Sequence, residues 1–207
     1  MQLSGAAILF ALTVLASLIA FRVPRIADAM SLRPARIFRR HEYYRLISCG
    51  FVHADWGHLI FNMLTFFFFG FSLERFIGTE RFYVLYFVAL LLSSLGSAFK
   101  HRLDPDYSSV GASGAILALL FASIVYFPQQ SLMILPIPVP IPAPLFAIGY
   151  LAYSIYSSRL DQARPARGRI NHDAHIYGAM TGLAFVAVTT PQAYLMLLER
   201  VRNLILS

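Results

Sequence analysis

The chain has 207 residues, of which 58% are hydrophobic and only 13% charged. A water-soluble domain is nearer one-quarter charged, so the composition excludes an ordinary soluble enzyme and indicates one multi-pass helical membrane domain. The net charge of +7 sits on arginines scattered between apolar spans, which suits anionic lipid and speaks against a nucleic-acid surface.

The first apolar run, 4–21, is long enough to cross a bilayer. It lacks the basic leader and small-residue cleavage site of a signal peptide and reads as the first transmembrane helix. Arg22 to Gly57 is a long connection with seven arginines, Arg45 the last, interleaved with Phe38, Tyr43, Tyr44, Phe51 and Trp56. That mixture predicts a structured element at the membrane interface. Its single cysteine, Cys49, allows no intrachain disulfide and reads as a buried small apolar group.

The second span, 58–77, carries His58 and Asn62 four residues apart on one helix face, with Glu74 towards the other end as a structural hydrogen-bonding group. The Phe66–Phe69 run reads as core or lipid-facing packing. A third span covers 81–99, with Thr79 as its cap, and Lys100 to Ser109 is a short polar link. The fourth span, 113–127, has about 15 residues, or roughly 22 Å against a hydrocarbon core of about 30 Å. If its far end reaches the opposite interface, Ser113 lies below the near surface and water must be admitted to it.

Pro136, Pro138, Pro140, Pro142 and Pro144 exclude a helix and predict an extended path. Pro144 then starts a short fifth helix, 145–158, flanked by irregular chain and suited to act as a mobile gate with Phe146 near its head. A basic loop, Arg159 to Asn171, leads to the sixth span, 172–190. The tail, 191–207, is amphipathic and too charged to span, so it reads as an interfacial helix appended to a 1–190 membrane domain.

Two stretches carry chemistry. Val110-Gly111-Ala112-Ser113-Gly114-Ala115 sets one hydroxyl between glycines at the head of the fourth span. Alone, this is equally a helix cap or a small-residue packing seam. Far downstream, Ala174-His175-Ile176-Tyr177-Gly178 places a histidine on a membrane helix, where it is costly and usually functional. A serine and a histidine on two close-packing helices are the minimum kit for nucleophilic catalysis. Asp173 is two residues before His175, on a different helix face, so the pair reads as a dyad with the acid at the helix start. His172, nearer the loop, reads as surface-facing. No His/Cys/carboxylate cluster has metal-ligand spacing, so neither metal nor other cofactor is expected.

Taken together, Arg45, His53, His58, Asn62, Glu74, Gly78, Gly111-Ala112-Ser113-Gly114 and Ala174-His175-x-x-Gly178-x-x-x-Gly182 resemble the rhomboid intramembrane serine proteases over roughly residues 40–185. The resemblance implies an all-α bundle of six transmembrane helices with a water-filled active site. It implies Ser113 as nucleophile and His175 as general base. His58, Asn62 and the Ser113 backbone N–H would be oxyanion donors, as an amide and an imidazole on one helix face can be. Gly111, Gly114, Gly178 and Gly182 would serve helix packing, and Arg45, His53 and Glu74 would hold the first loop. One departure is Leu117, where some rhomboids stack an aromatic ring against the histidine.

The expected function is therefore endopeptidase cleavage of single-span membrane proteins through an acyl-enzyme. A non-catalytic rhomboid-like adaptor is the alternative, and a transporter would need mid-span charges and inverted repeats that are not evident. The implied location is a prokaryotic cell membrane with the site facing the extracytoplasmic side. The arginine count opposes that orientation, since the loops after the first, third and fifth helices carry most of the positive charge.

Overall fold

The computed structural model describes residues 4–134, 137–163 and 171–206. In chain order the helices are α1 (Gly5–Arg22), α2 (Pro24–Met30), α3 (Pro34–Arg40), α4 (Arg45–Ser48), α5 (Trp56–Ile77), α6 (Thr79–Lys100), α7 (Ser113–Tyr126), α8 (Ala143–Ala163), α9 (His172–Thr189) and α10 (Ala193–Leu206). Strands β1 (Ser131–Ile134) and β2 (Ile137–Pro142) form an antiparallel hairpin between α7 and α8. Among the described residues, α1, α5 and α6 are each long and apolar enough to cross a membrane, and α9 with α10 make a further candidate bent by 119°.

The bundle is built around α7. Every one of its 14 residues is buried, and α5, α6, α8 and α9 pack around it. Leu59, Met63 and Phe66 of α5, Leu85, Tyr86 and Leu90 of α6 and Ile116 and Leu119 of α7 belong to one continuous core. Phe66 thus packs inward, while Phe67 and Phe68 face outward.

Glu74 joins the start of the chain to the α5–α6 corner. Its carboxylate accepts from the backbone N–H groups of Gly5 (2.7 Å) and Ala6 (3.1 Å), from Thr79 Oγ1 (2.8 Å) and from the Ser4 hydroxyl. An anion is favoured there because the first N–H groups of α1 have no partner within the helix. Gly78, at φ 84°, makes the corner. It, and not Thr79, is the N-cap of α6, because the Thr79 hydroxyl is committed to Glu74.

The long first connection is structured, as its composition predicts. It folds into α2, α3, α4 and a 3-10 turn, Cys49–Phe51. Arg45, only 1% exposed, organises it. Its Nη1 donates to the carbonyls of Asp28 (2.7 Å) and Ser31 (2.8 Å), and its Nε donates to Glu42. A bridge between Leu32 and Ser109 then fastens this layer to the α6–α7 connection.

One expected length needs correction. The fifth helix is not short: α8 runs over Ala143–Ala163, 21 residues. The charges at Arg159 and Asp161 end the apolar window, but Leu160 and Gln162 are good helix formers and the helix continues past it. The proline-rich segment is extended, as expected, but pairs as a hairpin with Ser131 opposite Pro142. Pro136 and the basic stretch 164–170 lie outside the described residues.

α10 turns sharply from α9, and Tyr194 Oη donates to the Leu183 carbonyl across the bend (2.7 Å). Leu195, Leu198, Ile205 and Leu206 remain exposed, an arrangement suited to lying on a bilayer surface.

Candidate active site

The site is assembled where the heads of α7 and α9 meet. Gly111 adopts φ 119°, a conformation that side chains rarely reach. Its N–H donates to the Cys49 carbonyl (2.9 Å), tying the turn to the first loop. A Cβ on Gly111 would lie 2.6 Å from His58 Cε1, so the absence of a side chain lets the His58 imidazole rest on the turn that precedes Ser113. Ser113 then opens α7 with its N–H among the first-turn donors that no helical carbonyl satisfies.

α9 crosses α7 backbone to backbone. A Cβ on Gly178 would be 2.0 Å from the Gly114 carbonyl oxygen, and one on Gly182 would be 2.3 Å from that of Ala118. On the other side, a Cβ on Gly114 would lie 3.1 Å from the Ala174 carbonyl and closer still to Ser93 Oγ. Neighbours of Ser113 and of His175 are therefore in direct contact, and both residues are buried.

The head of α9 is fixed by Asn171. Its side-chain oxygen accepts from the Ala174 N–H (3.0 Å), and its Nδ2 donates to Ser97 (2.8 Å) and Ser109 (3.2 Å). Asp173 is turned away from His175: Lys100 Nζ donates to it at 2.5 Å, with Ser158 Oγ and His101 Nε2 also in reach. This network joins α6, α8 and α9 and holds the Asp173 carboxylate away from His175.

The His175 Nδ1 instead meets the Tyr150 hydroxyl of α8 at 2.8 Å. The Tyr150 ring stacks on Phe146 and leans on Phe121. Position 117 contributes only an apolar side chain to the cluster around Phe121, so the aromatic ring beside His175 comes from α8. Sequence reasoning missed Tyr150. His172 is also not surface-facing: it is buried, edge-on to both Tyr153 of α8 and His175.

On α5, the Asp55 side chain caps the helix by accepting from the His58 N–H (2.8 Å). Asn62, one turn further on, is buried with an Nδ2 that meets no acceptor among the described residues. A buried amide donor without a partner is costly, and such groups call for an explanation. His53 packs edge-on to His58 at 4.9 Å, and its Nδ1 lies 2.9 Å from Ser17 Oγ of α1. Burial, reinforced by the neighbouring His58, lowers the His53 pKa to about 3 against a weaker pull from Asp55, so the ring is neutral.

A cavity adjoins Ser113, lined among others by the hydroxyl-bearing residues Ser93, Ser94 and Ser109 and by Gly111, Gly114 and Asn171. Hydroxyls at this depth make a wettable recess within an otherwise apolar bundle.

Comparison with known proteins matches residues 40–192 to the rhomboid domain. The chain is 31% identical over 157 residues to the Bacillus subtilis rhomboid-family protein YdcA, covering 71% of this chain and 68% of that protein. It is 32% identical over 160 residues to RHOMBOID-like protein 2 of Arabidopsis thaliana, covering 76% of this chain and 46% of the relative. Rhomboid protein 1, mitochondrial, of Saccharomyces cerevisiae is 29% identical over 143 residues, with 68% and 40% covered. The chain thus spans about two-thirds of YdcA's length and less than half of the plant and yeast proteins. With a family match over most of its length and helices long enough to cross a membrane, the chain belongs to the rhomboid family.

Proposed function

We propose that this protein is an intramembrane serine endopeptidase. The observation that carries the reading is the glycine crossing of α7 on α9, where the Gly114 carbonyl meets Gly178 beside Ser113 and His175. Helices that approach through glycine bring side chains of adjacent residues within hydrogen-bond reach. In this reading α1, α5, α6, α7, α8 and α9 are six membrane crossings.

His175 Nε2 takes the Ser113 hydroxyl proton while Oγ attacks the scissile carbonyl carbon. The carbonyl π electrons pass to oxygen, and the oxyanion is met by the Ser113 N–H, Asn62 Nδ2 and the His58 ring. The unpartnered Asn62 donor supports this role, since a donor held ready for a charge that forms only during reaction has no ground-state acceptor. As the C–N bond breaks, the imidazolium returns its proton to the leaving amine. Water from the serine-lined recess then hydrolyses the acyl-enzyme, with His175 again as base.

Substrates in this reading are single-span membrane proteins with small or helix-destabilising residues near the surface, because an intact helix hides its carbonyls. Arg45 and His53 hold the first-loop layer beside the site, whereas Glu74 ties the start of α1 to the α5–α6 corner at the other end of α5. The site opens to the extracytoplasmic side of a prokaryotic membrane. The test is covalent labelling by a fluorophosphonate together with cleavage of a membrane-inserted substrate. Native protein should do both. Ser113→Ala and His175→Ala should do neither, and His172→Ala should retain most activity. Native protein that neither labels nor cleaves would leave the adaptor reading in its place.

A further inference from the structure

Tyr150 stands apart from the serine, histidine and oxyanion donors, yet its hydroxyl is 2.8 Å from His175 Nδ1. We infer that Tyr150 is the positioning residue for His175, fixing the imidazole as the Nδ1–H tautomer so that Nε2 faces Ser113 as a base. The inference rests on the protease reading given above and deepens it.

A neutral imidazole carries one proton, and the hydrogen bond made by one nitrogen decides what the other can do. Were the phenol to donate to Nδ1, Nε2 would carry the proton and could not accept one from Ser113. With Nδ1–H donating to Tyr150 Oη, Nε2 is a free acceptor. When Nε2 takes the serine proton, the ring becomes a cation and the same bond becomes charge-assisted, and so stronger. Its contribution then grows as the transition state is approached, which raises turnover without improving substrate affinity. The Asp173 carboxylate, the usual class of group for this task, is held by Lys100, His101 and Ser158 and does not reach His175.

The phenol is itself held. Its ring stacks on Phe146 with centroids 5.7 Å apart and 20° between planes. Phe121, fully buried on α7, flanks it at 6.3 Å. A ring fixed on two sides presents its hydroxyl at one place, as a positioning residue must. Because Tyr150 rides on α8 and His175 on α9, the bond also makes the tautomer depend on α8 lying against the bundle.

The experiment uses 15N-histidine protein in lipid nanodiscs, with His175 assigned by loss of its signals in His175→Gln. Nitrogen shifts in the native protein should show the Nδ1–H tautomer, and Tyr150→Phe should shift the population towards Nε2–H. In the same preparations, Tyr150→Phe should lower kcat and the fluorophosphonate labelling rate in parallel by roughly 10- to 100-fold, the size of a hydrogen bond to an ionised group, with KM unchanged. A native Nε2–H tautomer overturns the inference whether or not the variant folds. So does a folded Tyr150→Phe with native kcat, in which case the protease reading stands. A loss confined to KM would also overturn it. Native protein inert to both substrate and probe would sink the two readings together.

Discussion

The glycine crossing leaves no room for a side chain at Gly178. In Gly178→Ala the new methyl would sit 2.0 Å from the Gly114 carbonyl oxygen, whereas real Cβ contacts essentially never fall below 3.0 Å. The obstacle is main chain on both helices, so no side chain can swing aside and the axes must part by about 1 Å at the crossing. Overpacking of this kind costs about 1–3 kcal/mol. His175 is three residues before Gly178 and moves with it, and a displacement of about 1 Å at reacting groups lowers turnover by about 10²-fold. Substrate cleavage in proteoliposomes and probe labelling of Ser113 should fall by that factor, with a lower thermal midpoint. Gly182→Ala, 2.3 Å from the Ala118 carbonyl, should lose similar stability but less activity, being a turn further from the site. Gly149→Ala on α8 is the control, since its Cβ would meet nothing within 4 Å, and it should cleave at the native rate. A folded Gly178→Ala with native turnover would refute the claim that this crossing sets the geometry of the site.

Asn62→Ala and His58→Ala should each slow turnover by up to about 10²–10³-fold in kcat, and an effect on KM alone would make them binding residues. His53, held neutral with a pKa of about 3, sets a pH dependence of stability. Above about pH 6.5 neither folded nor unfolded imidazole is charged, so the contribution is nil. As pH falls below that value only the unfolded chain takes the proton, and stability declines by about 1.4 kcal/mol per unit until the folded pKa is approached. The thermal midpoint should therefore drop between pH 7 and 5 more steeply in the native protein than in His53→Asn, and equal slopes would contradict it. Orientation is tested by Leu103→Cys in a Cys49→Ser background. Leu103, highly exposed between α6 and α7, should react with a membrane-impermeant thiol reagent in intact cells, and labelling only after lysis would favour the arginine count.

Much of the candidate site was legible because its members carry local signatures. Ser113 heads a run too short to span, and α7 indeed begins there. Gly178 and Gly182 are four apart, the interval that keeps two glycines on one helix face. Tyr150 carried no such signature: it is one of 11 tyrosines, and its partner lies 25 residues on, across a loop. His172 looked exposed because a helix start beside a basic loop usually is, but Tyr153 of α8 packs edge-on to it. The full length of α8 was also missed. That length was hidden because hydropathy marks where a helix leaves the apolar zone and not where it ends. The resemblance singled out Arg45 for the first loop, but the layering it organises was out of reach, since its Nη1 partners are main-chain carbonyls that no side-chain pattern reports.

The complete enclosure of α7 bears on how the protein meets bilayers of different thickness. α5 and α6, each 22 residues and about 33 Å long, have exposed apolar faces and answer to hydrophobic mismatch by tilting. α7, about 21 Å long, touches no lipid and takes its depth from its neighbours. A thicker or thinner membrane therefore acts on the rim of the bundle, while Ser113 stays referenced to protein. On the protease reading proposed above, varying acyl-chain length in reconstituted vesicles would change how easily a substrate helix reaches the rim far more than it changes the chemistry at the serine.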